Sequence, residues 1–184
     1  MSRLPARLRQ AGHELIDLDR AVYSAVHATS TPQIDLALAR ISRAADRSVL
    51  WMGVAAALSV SGRRPRRAAL VGMTAIAATS ATVNLVVKRG PKRTRPSLEG
   101  SVRTHGVRMP ASHSWPSGHT ASAFAFSTAV GAAIPELDTA LRLAATVVAY
   151  SRVHTGVHYP GDVIAGAVIG AGIGSLTYHV TRRF

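Results

Sequence analysis

The sequence contains no cysteine, and it is poor in aromatic and acidic residues. The absence of cysteine excludes disulfides, thiolate catalysis and cysteine-ligated zinc. Aromatic residues make up only 5% of the chain, which argues against nucleic-acid bases stacked on aromatic side chains. The chain has 9 acidic residues against 22 Lys and Arg, a formal net charge of +13. Such a balance fits three partners, namely nucleic acid, an anionic membrane surface or a phosphorylated substrate.

The apolar residues are concentrated in stretches rather than spread along the chain. These stretches cover residues 48–62, 68–87, 117–134, 139–150 and 163–178. Residues 68–87 carry no charge, and about 20 apolar residues are needed to cross a bilayer as a helix. The alternative is a soluble bundle with buried Ala-rich helices, but soluble helices are rarely apolar on every face. We therefore expect an all-α, integral-membrane helical bundle with about five spanning helices.

Residues 1–47 have a different character, being polar and basic with two short amphipathic patterns. Apolar residues recur at helical spacing in both patterns, which are Leu15, Leu18, Val22, Val26 and Ile34, Leu38, Ile41, Ala45. Thr31 and Pro32 suit the start of the second helix. We expect an N-terminal amphipathic, interfacial region over 1–47 and a transmembrane core over 48–184. The stretch 48–62 is short for a span and would need its helix to extend back towards Ile34.

The connections and the last helix carry further signals. Residues 88–115 form a long polar segment with seven Lys or Arg, and loops of that length are usually functional. Residues 135–138 are expected to form a tight turn between antiparallel helices. Gly166, Gly170 and Gly174 recur every four residues, which favours close packing of a neighbouring helix within the monomer over a dimer interface.

Three groups of polar residues stand beside the ends of the apolar stretches. They are Lys88 with Arg95-Pro96, then Pro116-Ser117-Gly118-His119, and then Ser151-Arg152 with His158 and Asp162. Arg95 and Arg152 offer planar donor forks that match phosphate oxygens, and Lys88 adds a point charge.

The second and third groups add a helix start, two histidines and an acid. Ser117 and Gly118 open a helix, whose free N–H groups and positive dipole end attract an anion. His119 would lie beside that anion. Asp162 could hold His158 in one tautomer. The spacing leaves open which histidine attacks phosphorus.

Each residue also has a simpler interpretation. Lys88 and Arg95 could be anchors in the headgroup region, while Ser117 and Asp162 could be helix caps. The membrane topology favours the functional interpretation. Lys88 and Arg152 each end an apolar stretch, and Ser117 and Asp162 each begin the next one. Hairpin connectivity therefore places all three groups on one membrane face.

These groups resemble the three signature motifs of the type 2 phosphatidic acid phosphatase family. The resemblance implies that His158 attacks phosphorus to form a phosphohistidine and that Asp162 orients it. It also implies that His119 protonates the leaving alcohol and then activates water. Residues implied to hold the phosphoryl oxygens are Lys88, Arg95, Ser117, Gly118 and Arg152. Cations can stabilise these oxygens without a metal, so we expect neither a metal nor another cofactor.

The expected function is a hydrolase acting on a lipid phosphate, of phosphatidate or polyprenyl type, with no nucleic-acid partner. A vanadate-dependent haloperoxidase shares these motifs but is larger and soluble. A nucleic-acid-binding protein would carry its basic residues on one face of a soluble domain, and a membrane scaffold would not explain the motif spacing. Basic loops stay cytoplasmic. Residues 63–67 and Arg182-Arg183 therefore predict an integral cell-membrane protein with its active site on the extracytoplasmic face.

Overall fold

The chain folds as a bundle of α-helices in a computed structural model, which describes residues 6–28, 31–85, 92–96, 107, 109 and 111–183. These residues contain seven α-helices and no β-strand. The helices are α1 (Ala6–Ala28), α2 (Pro32–Ala44), α3 (Val49–Val60), α4 (Arg63–Leu85), α5 (Gly118–Ala133), α6 (Pro135–His154) and α7 (Pro160–Thr181). A short 3-10 turn, Asp46–Ser48, joins α2 to α3. The all-α prediction is confirmed.

The centre of the bundle is α5, which packs against α4, α6 and α7. Its residues are mainly Ala, Ser, Thr and Gly, and almost all of them between Thr120 and Gly131 are buried. Small side chains allow three neighbours to approach one helix closely. Around it lies the apolar core, in which the rings of Trp51 and Phe126 are 5.3 Å apart.

The glycine spacing in α7 has the predicted consequence within the monomer. A methyl group added at Gly166 would meet the Ser117 carbonyl oxygen, one at Gly170 that of Ala121, and one at Gly174 that of Ala125. All three oxygens lie on or beside α5. The glycines therefore allow the backbones of α5 and α7 to touch.

Two of the helices are long and apolar enough to cross a membrane, α4 and α7. Their large apolar side chains are exposed on the outside of the bundle, where lipid would cover them, as at Leu70, Ile164 and Val168. By contrast, α3 has 12 residues, or about 18 Å of helix. It does not extend back into α2, because Arg47 and Ser48 have left-handed backbone angles, with φ of 52° and 62°.

Two connections differ from the sequence prediction. The basic residues 63–67 form the first turns of α4 rather than a loop, and the turn that precedes them is made by Gly62, whose φ of 129° suits glycine. The expected turn at 135–138 is the first turn of α6, with Pro135 in its usual place at a helix start. Ile134 alone links α5 to α6.

The N-terminal helices pack on the bundle, α1 against α6 and α7 and α2 against α6. Both predicted amphipathic patterns lie in helices, except that Ala45 follows the end of α2, and Leu38 and Ala45 are buried. Thr31 stands at the N-cap of α2, but its side chain accepts no capping hydrogen bond. The division into 1–47 and 48–184 stays a prediction, and contacts cross it.

The α5–α7 contact predicts opposite effects for two glycines of one helix. Gly170→Ala should lower the free energy of unfolding by about 1–3 kcal/mol, because the new methyl group collides with the Ala121 carbonyl. Gly172 has open space beside it, so Gly172→Ala should raise the free energy of unfolding by up to about 1 kcal/mol through helix propensity. Melting temperatures in one detergent measure both. Equal stability of the two variants would contradict the close contact.

Candidate active site

One cavity lies at the end of the bundle where α4 ends and α5 begins. Its volume is about 240 Å³, and the 3-10 turn, α4, the segment 92–96, the start of α5 and the loop before α7 all contribute to its wall. Predicted site residues that line it are Arg95, Gly118, His119 and His158. Arg152, Ser117 and Asp162 are buried immediately behind that wall. The structure therefore brings seven of the eight predicted residues together, and Lys88 lies outside the described residues.

The contacts of the two ring nitrogens of His158 define its tautomer. Its Nε2 lies 3.2 Å from Arg95 Nη1, and a guanidinium can only donate, so Nε2 must carry a lone pair. The proton is then on Nδ1, which faces Asp162 Oδ2 at 3.5 Å. Burial, with the nearby charges of Arg95 and Arg152, lowers the pKa of His158 to about 4 against the opposing effect of Asp162. The imidazole is therefore neutral at pH 7.

Arg95 fastens the segment 92–96 to two other parts of the chain. Its Nε donates to the Ser112 carbonyl at 2.9 Å, and its Nη1 donates to the Val157 carbonyl at 2.8 Å. Its Nη2 donates to the Ser112 hydroxyl and the His113 carbonyl. One guanidinium thus holds the loop before α5 and the loop before α7 around the cavity.

Asp162 contacts both the backbone at the start of α7 and the His158 ring. It lies in the first turn of α7, where Oδ2 accepts the Tyr159 N–H at 2.9 Å as a helix cap. The same oxygen faces His158, and Oδ1 accepts from Arg93 Nη1 at 3.1 Å. The carboxylate has no exposed surface, so this pairing is what allows a charge to be buried there.

Ser117 is a helix cap, while Gly118 faces the cavity. The Ser117 hydroxyl accepts from the Thr120 N–H and hydroxyl at 3.5 and 3.0 Å. Its own N–H donates to the Asp162 carbonyl at 2.9 Å, which joins the start of α5 to the start of α7. No atom lies within 4 Å of the place where a Gly118 side chain would begin. A ligand could therefore approach the backbone at Gly118.

His119 and Arg152 share a carboxylate that the sequence motifs do not include. Asp46 Oδ1 lies 2.8 Å from His119 Nε2 and 3.8 Å from Arg152 Nη1. Arg152 is 1% exposed and also donates to the Ser42 hydroxyl at 2.6 Å. Asp46 and Ser42 both belong to the N-terminal region, which therefore supplies part of the site.

Two further contacts of acidic side chains link the same region to the motif segments. Arg93 Nη2 lies 2.6 Å from Asp19 Oδ2, and Asp19 Oδ1 accepts the Gly161 N–H at 2.7 Å. The Arg93 guanidinium also lies over the Tyr159 ring, 4.0 Å from its centre. Asp35 and His154 form a buried pair at 2.6 Å between α2 and α6. Sequence reasoning missed these residues because no spacing relates them to the motifs.

The site combines a neutral imidazole with fixed cations around a small polar-walled cavity. Such an arrangement suits a phosphoryl group, because guanidinium donors match its oxygens and the imidazole offers a lone pair. The fold and the site together define a helical membrane protein with a cationic, histidine-containing centre.

Comparison with known proteins assigns the family. The family model described as "PAP2 superfamily" matches residues 68–184. A decaprenylphosphoryl-5-phosphoribose phosphatase of Mycobacterium tuberculosis is 32% identical over 145 residues, 77% of each chain. A lipid A 1-phosphatase of Rhizobium johnstonii is 40% identical over 73 residues, which are 40% of this chain and 30% of that protein. The chain belongs to the PAP2 superfamily, and the prediction of a membrane lipid phosphatase is confirmed.

Two solved structures share the fold. A transmembrane PAP2-type phosphatidylglycerolphosphate phosphatase from Bacillus subtilis has a TM-score of 0.68 and 20% identity, covering 93% of this chain and 88% of that chain. LpxE of Aquifex aeolicus has a TM-score of 0.70 and 22% identity, covering 87% and 94% respectively. At these identities the likeness concerns the architecture, and it confirms the integral-membrane helical bundle.

The Arg93 ion pairs predict a specific loss of stability. Arg93→Gln leaves the buried Asp162 carboxylate without its cation, so the free energy of unfolding should fall by about 3 kcal/mol. Lys92→Gln, a change at the exposed neighbouring residue, should stay within about 0.5 kcal/mol of the unmodified protein. Thermal unfolding in detergent compares them. An unchanged melting temperature for Arg93→Gln would show that the Asp162 charge is stabilised by other groups.

Proposed function

We propose that this chain hydrolyses the phosphomonoester of a lipid-linked sugar phosphate, and that His158 is its nucleophile. The observation that carries the catalytic part is the lone pair of His158 Nε2, which lies at the cavity beside Arg95. A neutral imidazole in contact with a cationic phosphate-binding group can attack phosphorus without first losing a proton.

In the first step, the Arg95 Nη1–H that His158 Nε2 accepts turns to a phosphoryl oxygen of the bound substrate. The freed Nε2 lone pair forms a bond to phosphorus while the bond from phosphorus to the leaving oxygen breaks. His119 donates a proton to that oxygen, so the product leaves as an alcohol. The proton on His158 Nδ1 faces Asp162, which stabilises the positive charge that develops on the ring. The products of this step are the lipid alcohol and a phosphohistidine.

In the second step, a water oxygen attacks the phosphorus of the phosphohistidine and the N–P bond breaks. His119, now neutral, takes the proton from that water, and inorganic phosphate leaves. Both steps concentrate negative charge on the phosphoryl oxygens. Arg95, Arg152, Lys88 and the backbone beside Gly118 are proposed to stabilise that charge, with Ser117 holding the helix start in place.

The wall of the cavity supports a hydroxylated leaving group. Four polar side chains from α4 and α5 line it, namely Thr79, Ser80, Asn84 and Ser122. The Thr79 hydroxyl is fully buried and has no hydrogen-bond partner within the described part of the chain. A buried unpaired hydroxyl is costly, so a substrate that supplies a partner gains affinity. The relatives named above for decaprenylphosphoryl-5-phosphoribose and lipid A support a sugar in that position.

The basic residues support an extracytoplasmic active site. Arg63, Arg64 and Arg67 of α4 and Arg182 after α7 surround a second cavity, which also includes Ala133 at the end of α5. That cavity therefore lies at the end of the bundle opposite the site. Basic residues at a membrane boundary favour the cytoplasmic side, so we infer that the site faces outward.

Phosphate release tests the proposed reaction and its substrate. We expect the purified protein, in EDTA, to dephosphorylate a lipid-linked phosphosugar, and His158→Ala to reduce release to the level without enzyme. Thr79→Val should lower kcat/KM for the phosphosugar about 5–10-fold through one lost hydrogen bond. The kcat/KM for phosphatidate should stay unchanged. Activity retained by His158→Ala would contradict the nucleophile, and an equal loss on both substrates would contradict the sugar subsite.

Single cysteines test the orientation, and the chain has no native cysteine to remove. His113 is exposed beside the site and Arg66 is exposed at the opposite end of the bundle. In intact bacterial cells, a membrane-impermeant thiol reagent should label His113→Cys and should label Arg66→Cys only after lysis. Labelling of Arg66→Cys alone in intact cells would reverse the orientation and leave the chemistry unaffected.

A further inference from the structure

Asp46 stands next to His119, although it lies outside the three motif groups and outside residues 68–184 that match the family model. We propose that Asp46 is a positioning residue for His119, so that each active-site histidine has its own carboxylate. The proposal rests on the acid and base roles given to His119 above. It specifies which nitrogen of His119 transfers protons, and it identifies Asp46 as the group that holds the ring.

The contact determines which nitrogen of His119 is available for chemistry. Asp46 Oδ1 lies 2.8 Å from His119 Nε2, and an ionised carboxylate can only accept a hydrogen bond. Nε2 therefore keeps its proton in both states of the ring. Nδ1 gives its proton to the leaving oxygen in the first step and takes one from water in the second. His158 uses the opposite arrangement, with Nδ1 protonated towards Asp162 and Nε2 reactive.

The backbone around Asp46 is shaped to hold the carboxylate at the cavity. The two residues that follow it, Arg47 and Ser48, both have left-handed backbone angles that non-glycine residues rarely adopt. Such strain persists only where the surrounding structure requires it, and it is concentrated at functional sites. Ala45, Arg47 and Ser48 all line the cavity, so the turn that bears Asp46 is part of its wall.

The charges facing His119 explain why it needs a carboxylate. Burial most disfavours a protonated His119 ring, Arg152 of α6 and His158 of the loop before α7 add to that effect, and Asp46 of the 3-10 turn favours protonation. Asp46 Oδ1 is also 3.8 Å from Arg152 Nη1, so one carboxylate offsets the guanidinium and supports the imidazolium. Without Asp46, the acid form of His119 would stand beside an uncompensated cation.

Leaving-group dependence separates this role from a structural one. An alkyl phosphate needs a proton on its leaving oxygen, whereas a nitrophenyl phosphate carries a leaving group stable as an anion. For Asp46→Asn we expect kcat/KM to fall about 100-fold on a lipid alkyl phosphate. It should fall less than about threefold on a nitrophenyl phosphate whose ring carries the same lipid tail. The alkaline limb of the alkyl-phosphate profile should also move to lower pH. Asp46→Glu should restore part of the activity.

The outcomes that overturn the proposal are distinct from a failure of the proposed function. Equal losses on both phosphates would mean that Asp46 only supports the fold or phosphate binding. A rise in kcat/KM on the alkyl phosphate would mean that the Asp46 carboxylate occupies the place of a phosphoryl oxygen and obstructs binding. Asp17→Asn, a change at an exposed acid of α1, should leave both rates unchanged. If the unmodified protein releases phosphate from neither substrate, the proposed function itself is wrong.

Discussion

The site depends on polar partners, mostly carboxylates, that compensate the positive charge buried at the end of an apolar bundle. Arg152 is almost completely buried, and a buried guanidinium is tolerated only where it is paired and hydrogen-bonded. Ser42 and Asp46 supply that pairing for Arg152, and Asp162 and Asp19 supply it for Arg93. The cationic centre proposed to bind phosphate therefore comes with a surrounding set of carboxylates. The few acids in this basic chain lie at these positions and not only on its surface.

Close contact between α5 and α7 sets the geometry of the motif residues. The Ser117 carbonyl would collide with any side chain at position 166, and the Ser117 N–H donates to the Asp162 carbonyl. Two motif groups more than forty residues apart are thus connected backbone to backbone at the cavity. Glycines placed every fourth residue on α7 allow that approach, since each larger residue would separate the helices. The packing of the core and the placement of the reactive groups are consequences of the same glycine spacing.

The sequence predicts the bundle and most of the site because their signals are local. Apolar stretches define α4 to α7, and the motif spacing identifies His158, His119, Arg95 and Arg152. The sequence does not predict Asp19, Asp35 or Asp46 as partners, because their contacts join residues far apart in the chain and any exposed helix contains such acids. The sequence also does not predict where α4 begins, because the four arginines and one proline at residues 63–67 have the composition of a loop. They are helical although four of the five are exposed, and Pro65 stands in the first turn, where its missing N–H leaves no hydrogen bond unmade.

The N-terminal region is therefore more than the interfacial anchor that its sequence predicts, because it also contacts the site. Amphipathic helices of its kind can lie on a bilayer surface, and the outward apolar residues Leu15, Leu18 and Val22 of α1 fit that location. The opposite side of the same helix reaches the site, because Asp19 pairs with Arg93 and caps the N–H of Gly161. Since Arg93 also pairs with Asp162, a displacement of α1 from the bundle would remove one of the two carboxylates that hold the Arg93 guanidinium in place. Helix α1 and the acid that faces His158 are thus linked through Asp19 and Arg93, so the position of α1 bears on the buried geometry of the site.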